Sequence, residues 1–248
     1  SVPAYSLDHV AELPLYMVLG VLAALTAVLF IRVLYRFEKV FDEWNFPPAL
    51  KAALGMLLAA GVAFLLPGQP SLGPGLEFIG EAIRDDFQLP YLLLIGLLLL
   101  KLRSTSFTLG SGNSGGVFAP GLYMGAILGG LVGQFGHQFF PNIVVHPGAY
   151  AIVGMAAVFA GAARAPITAV LIVFEMSNDY RLILPLMMAT VLSTIIAELI
   201  FSESIYTLKL KLKGIALQQG RDLDLMQSVQ VEEVLGEAHS IRPDMPIK

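Results

Sequence analysis

Long uncharged stretches and short polar interruptions alternate along this chain, and the lengths of the stretches predict its elements. Leu13 to Ile31 is a 19-residue run without a charge, close to the roughly 20 residues that cross a bilayer as a helix. Arg32, Arg36 and Lys39 follow, interleaved with Glu38, Asp42 and Glu43, and Trp44 is placed to anchor at an interface. Pro47-Pro48 opens a second helix, apolar from Ala52 to Leu66 and ended by Pro67-Gly68, with Gly55 and Gly61 as packing positions. Pro70 to Gly75 is a Gly/Pro loop. Glu81, Arg84, Asp85 and Asp86 make Glu77 to Phe87 a short amphipathic helix with a solvated face. Pro90 to Leu100 is apolar and bounded by Lys101 and Arg103, so it either runs on past Arg103 or is a half-length buried piece.

From Ser104 through Ala163 there is no Asp, Glu, Lys or Arg. The first part, Ser104 to Gly116, is rich in hydroxyl residues and glycine, and its glycines each disfavour helix by roughly 1 kcal/mol against alanine; open backbone is predicted there. Pro120 is suited to the first helical position and puts a helix start at Ala119 to Gly121. The amides of Gly115, Gly116, Val117 and Phe118 then stand unpaired at a helix N-terminus, where the donors and the helix dipole form a site for an anion without any lysine or arginine. Such non-helical backbone at membrane depth is tolerated only inside protein or beside a watery cavity, as in the broken helices of transporters. A glycine-rich packing segment with no ligand is the plainer alternative.

Gly121, Gly125, Gly129 and Gly133 recur every fourth residue and predict one helix face for close backbone packing. Gln134 to Pro147 is a break, and Ala149 to Ala163 is small and suited to tight burial. Arg164 and Glu175 flank a short helix that starts near Pro166. A charge at a helix centre in the membrane costs at least about 2.5 kcal/mol, so both belong in pairs or near an edge. Glu175 reads as a structural carboxylate at a helix end, with a proton carrier as the alternative. Ser177-Asn178-Asp179 caps or turns into Leu182 to Ala197, whose first turn holds Pro185. Ser204-Ile205-Tyr206 then starts a helix that leaves the membrane through Lys209, Lys211 and Lys213, a cytoplasmic exit under the positive-inside rule.

Composition agrees with this pattern. Hydrophobic residues make up 56% of the 248 and charged residues only 14%, with a mean hydropathy of +0.74; a soluble domain sits nearer a half and a quarter. The net charge of −4 decides nothing. With no cysteine there is no disulfide and no thiolate metal site. His9, His137, His146 and His239 show no metal-ligand spacing. No cofactor, metal or nucleic acid is expected. Ser1 is not an initiator methionine and no signal peptide opens the chain, so a piece of a longer protein is expected.

Gly116-Val117-Phe118-Ala119-Pro120 matches the Gly-x-Phe-x-Pro signature of the CLC chloride channels and chloride/proton antiporters, and the chain resembles that family. A second block, Arg164 to Thr168 running on through Phe174 to Pro185, looks like the stretch that follows in those proteins. A third, Ser204-Ile205-Tyr206-Thr207, looks like the family's last membrane helix with its pore tyrosine. The resemblance extends over about residues 10 to 212. It implies an all-α membrane protein of tilted, broken and re-entrant helices, one half of an inverted-repeat CLC-type fold, over residues 1–212. Residues 213–226 read as a cytoplasmic linker, and 227–248 look like the truncated start of a CBS-type domain.

The implied function is transport of chloride or a similar small anion, as a channel or as a chloride/proton antiporter, by an integral multi-pass protein with a cytoplasmic C-terminus. The implied anion ligands are the backbone at Gly116, Val117 and Phe118 and the Tyr206 hydroxyl at a buried helix end, with Gly115, Ala119 and Pro120 supporting the loop. Partial-charge dipoles hold an anion firmly enough to select it and loosely enough to release it. The resemblance also implies a homodimer in a lipid bilayer. The family's serine loop and gating glutamate are absent from this sequence and belong to a missing N-terminal half. The rival readings are an inactive half that offers only a packing or dimer surface, and a remote enzyme, an intramembrane serine protease using Ser114 of Gly112-Asn113-Ser114-Gly115 with His137 or His146 as base.

Overall fold

The structure, a computed structural model, describes residues 10–64, 73–84, 87–177 and 179–212. Among them every regular element is helical. A 3-10 turn, Val10–Glu12, leads into α1 (Leu13–Glu43). Then come α2 (Pro48–Ala63), α3 (Leu76–Ala82), α4 (Tyr91–Gly110), α5 (Phe118–Phe139), α6 (Pro147–Ala163) and α7 (Pro166–Ser177). A second 3-10 turn, Tyr180–Leu182, opens α8 (Ile183–Ile200). These belong to one compact unit that ends at Tyr206; α9 (Thr207–Leu212) falls in a second unit. Among the described residues, Leu13–Glu43, Tyr91–Gly110, Phe118–Phe139 and Tyr180–Ile200 are long and apolar enough to cross a membrane, while α2, α6 and α7 are shorter apolar helices.

The core is built around α6, whose residues Gly148 through Ala162 are all buried, against α5, α1, α8 and α7. A helix apolar on every side is one that neighbours surround, and its alanines and glycines let them come close. α5 runs antiparallel to it, and the expected glycine face is what meets it. A Cβ on Gly125 would overlap Gly154, one on Gly129 would overlap the Tyr150 carbonyl, and one on Gly133 would overlap Pro147. Gly121, the first of the series, only faces the Phe159 ring at an ordinary 3.8 Å. On α1 the buried positions Tyr16, Leu19, Ala23, Ala27, Phe30 and Leu34 recur at helical spacing, which places Met17, Val21, Leu25 and Leu29 on the exposed side.

Several expectations need correction. Ser104 to Leu109 is helix rather than open backbone, because α4 runs on past Arg103 to Gly110. Two of its hydroxyls fold back onto the preceding turn, Ser106 donating to the Leu102 carbonyl at 2.7 Å and Thr108 to that of Ser104 at 3.0 Å. The predicted break at Gln134 is occupied by α5, which continues to Phe139; Gln134 is held by donation from its Nε2 to the Leu89 carbonyl at 3.0 Å. The amphipathic helix is shorter than Glu77 to Phe87, ending at Ala82. Among the described residues, Gly55 meets a neighbour, Ser111, and Gly61 meets none.

Arg164 and Glu175 do not pair. Arg164 takes a left-handed conformation at φ 59° as it closes α6, and its guanidinium donates to the Gly161 carbonyl and, at 2.5 Å, to the Phe201 carbonyl. Glu175 is exposed on α7. Asp179 accepts from the Arg181 amide at 3.0 Å to start the second 3-10 turn, and Pro185 sits in the first turn of α8 as expected. Asn178, the α2 end at Pro67-Gly68, Asp85, Asp86, Lys213, the 213–226 linker and the CBS-like segment 227–248 lie outside the described residues.

Candidate functional site

The glycine loop between α4 and α5 is shaped at both ends by its own sequence. Gly112, at φ 87°, turns the chain out of α4. Its amide donates to the Leu109 carbonyl at 3.1 Å, and the Asn113 amide donates to that of Thr108 at 3.2 Å, the paired bonds that close a helix with a left-handed residue. Asn113 then fastens the loop to α2, donating from Nδ2 to the Ala52 carbonyl at 2.9 Å and to Ser111 Oγ at 2.9 Å. Ser114, Gly115 and Gly116 follow as exposed backbone.

α5 starts at Phe118, one residue earlier than the sequence suggests, so Pro120 is its third residue and not its first. The position still suits proline, because the amide it lacks is one that the helix leaves unpaired. Val117 occupies the N-cap position and makes no side-chain bond to the helix; valine has no oxygen with which to make one. Nor does any amide of Gly115, Gly116, Val117 or Phe118 donate to a protein acceptor among the described residues. Four donors at the positive end of a 22-residue helix are the electrostatics of an anion site.

Tyr206 lies in a turn after the last apolar helix. The Tyr206 amide donates to Ser204 Oγ at 3.3 Å, the Ile205 amide to the Ala162 carbonyl at 2.9 Å, and the buried Tyr35 hydroxyl to the Ile205 carbonyl at 2.6 Å. The backbone is thus fixed, but the side chain is 50% exposed, not at a buried end as expected. Partial desolvation pushes its phenol above the ordinary value, so it keeps its proton as a donor. Phe118 packs edge-on against Phe159, with ring centroids 4.9 Å apart. The last turns of α6 therefore hold both the N-terminus of α5, through Phe159, and the Tyr206 turn, through Ala162.

Beside the loop is a cavity of about 410 Å³ bordered by Gly115, Gly116, Ala119 and Pro120 on one side and by α2 and α4 on the others. Val117, Phe118 and Tyr206 do not line it. Its α4 wall carries Lys101, which sequence reading treats only as a boundary charge. Lys101 is 2% exposed, donates to the Gly73 carbonyl at 2.6 Å and lies 4.7 Å from the centroid of the Tyr123 ring. Its place after an apolar run and before a hydroxyl-rich one was the available signal. The serine-protease arrangement is excluded by distance. His137 lies roughly 28 Å along α5 from its start at 1.5 Å per residue, with Nδ1 2.7 Å from the Val144 oxygen. His146 precedes α6 at the same far end, since Pro147 meets Gly133.

The family model described as voltage gated chloride channel matches residues 1–198. Chloride channel protein CLC-f of Arabidopsis thaliana is 37% identical over 198 residues, 75% of this chain and 25% of that protein. The H(+)/Cl(-) exchange transporter ClcA of Vibrio cholerae serotype O1 (strain M66-2) is 34% identical over 223 residues, 88% of this chain and 47% of that protein. Among solved structures, a slow cyanobacterial Cl-/H+ antiporter superposes with a TM-score of 0.73 at 28% identity, covering 89% of this chain and 52% of that one. The chain spans about half the length of the exchange transporter and of the antiporter, and a quarter of CLC-f. The unpaired amides ahead of α5 lie inside the matched region, and the helical architecture around them is shared with a solved antiporter: this chain belongs to the voltage-gated chloride channel (CLC) family.

Proposed function

We propose that this chain supplies half of a small-anion pathway in a CLC-type membrane transport protein, with chloride as the transported ion. One observation carries the reading: the Gly115 to Phe118 amides stand without protein acceptors at the start of α5, within a 104–163 stretch free of charged residues. Dipoles there offset part of an anion's dehydration without binding it as tightly as a cation would. Gly116, Val117 and Phe118 contribute the donors; Gly115, Ala119 and Pro120 set the backbone. The Tyr206 hydroxyl reaches the same ion once the remainder of the protein closes over its exposed side. The names of the relatives support both a channel and a chloride/proton exchanger, and proton movement separates the two.

In this reading the remaining half provides the rest of the ion's ligands, residues 227–248 open a CBS-type domain, the C-terminus is cytoplasmic and the protein works as a homodimer in the bilayer. The test is calorimetric titration of chloride into the purified protein that contains this chain, followed by flux in liposomes with and without a pH gradient. Saturable chloride binding that weakens in Gly116→Val is expected. Undiminished binding in that variant overturns the loop as the site, and an absence of binding or flux supports the inactive packing half instead.

A further inference from the structure

α4 presents its hydroxyls in two ways. Ser106 and Thr108 satisfy theirs on the preceding turn, whereas Ser104 and Thr105, each 8% exposed, have no hydrogen-bond partner among the described residues. Both line the cavity of about 410 Å³ beside the glycine loop, and so does Lys101. Hydroxyls on the wall of such a cavity, unbonded to protein, are ordinarily paired with something held in the adjacent space. This space is large enough for an ion with several waters.

We propose that the cavity is a second small-anion subsite, distinct from the amides ahead of α5, in which Ser104 and Thr105 donate to the ion and the Lys101 ammonium sets its charge preference. Two hydroxyls alone would suit water; the nearby ammonium selects a monovalent anion. The charge is moderated by the Gly73 carbonyl and the Tyr123 ring, both of which it already contacts. That moderation suits a site that must release as well as bind. Gly115 and Gly116 form a wall common to the cavity and the loop, so an ion held here is one step from the donors of α5. That the ion is the transported one rests on the function proposed above; that an anion occupies the cavity does not.

The experiment is anomalous diffraction from bromide-soaked crystals of the protein containing this chain, paired with the chloride dependence of flux in liposomes. A bromide peak within hydrogen-bonding distance of Ser104 and Thr105 is expected, together with a roughly tenfold rise in half-saturating chloride in Lys101→Met. Lys101→Arg, which keeps the charge, should remain near wild type. Because Lys101→Met also loses the bond to Gly73, the double variant Ser104→Ala, Thr105→Val provides an independent reading, with a severalfold rise expected. A peak at the loop with none in the cavity, or unmoved chloride dependence in both variants, overturns the subsite and leaves the transport reading intact. A peak in the cavity alone keeps the subsite and overturns the loop as the ion site. No peak in either place overturns both.

Discussion

The Ile205 amide donates to the carbonyl of Ala162 at 2.9 Å, joining the turn that carries Tyr206 to the last turn of α6 across more than forty residues of intervening chain. On the opposite side of the same peptide segment, the Tyr35 hydroxyl donates to the Ile205 carbonyl at 2.6 Å. We expect Tyr35→Phe to weaken the fold by about 1 kcal/mol, the net worth of one buried hydrogen bond. It should also loosen the placement of Tyr206. Thermal denaturation together with chloride titration checks both, and unchanged values for the two would mean that the bond positions nothing.

Tyr206→Phe removes only the hydroxyl, from a side chain already half exposed. Chloride affinity should fall several-fold, with stability within about 0.5 kcal/mol of wild type as for other surface changes. Since the phenol of the wild-type protein is pushed upward, its protonated, donating form is lost only above the ordinary tyrosine range. Its share of binding should therefore be constant from neutral pH to about 10. A loss of that share near neutrality, in titrations of wild type against the variant, would count against the hydroxyl as donor.

Gly116 offers a test free of folding damage. Among the described residues a Cβ there meets nothing within 4 Å, so Gly116→Val should fold normally yet crowd the donors of Val117 and Phe118. The expected result is an unchanged melting temperature with weakened anion binding. A variant that melts early instead would show that the loop is a structural element first.

Gly129 and Gly61 form a matched pair for packing. Alanine at Gly129 would drive a methyl into the Tyr150 carbonyl and should destabilise by about 1–3 kcal/mol, the usual penalty of overpacking. Alanine at Gly61, where the described structure is open, should be neutral or stabilising by up to about 1 kcal/mol, since it improves helix propensity. Thermal melts in detergent compare them directly.

Arg164→Lys should not be conservative. The guanidinium holds the Gly161 and Phe201 carbonyls at once, and a single ammonium cannot span the two with the same planar fork. A loss of roughly 1.5–3 kcal/mol is expected, as for other charge-assisted bonds, and should be visible as a lowered melting temperature.

Much of this was legible because it depends on local rules. The start of α5 near Pro120, the glycine face and the short α7 all follow from residue types at fixed spacings, and the family resemblance was read from three short blocks, two of them inside the matched residues 1–198. What was not legible depends on partners far away in sequence. The length of the apolar run leaves open whether α4 runs on past Arg103, and Ser106 and Thr108 are ambiguous until their hydroxyls choose the preceding carbonyls. Arg164 reads in the sequence only as a charge that must be paired or lie near an edge, with no partner named. Its actual partners are backbone oxygens, one of them at Phe201, and backbone acceptors leave no mark in composition. Lys101 was hidden in the same way: its carbonyl and ring lie at Gly73 and Tyr123, on different segments.

The contact between α5 and α6 consists largely of one main chain resting on another at Gly125, Gly129 and Gly133. Such a joint contains almost no rotatable side-chain bonds, so it has few ways to relax on warming or to absorb strain by changing rotamer. The start of α5 is consequently mounted on a stiff joint, and in the pathway proposed above any movement that admits or expels an ion falls to parts of the protein other than this joint.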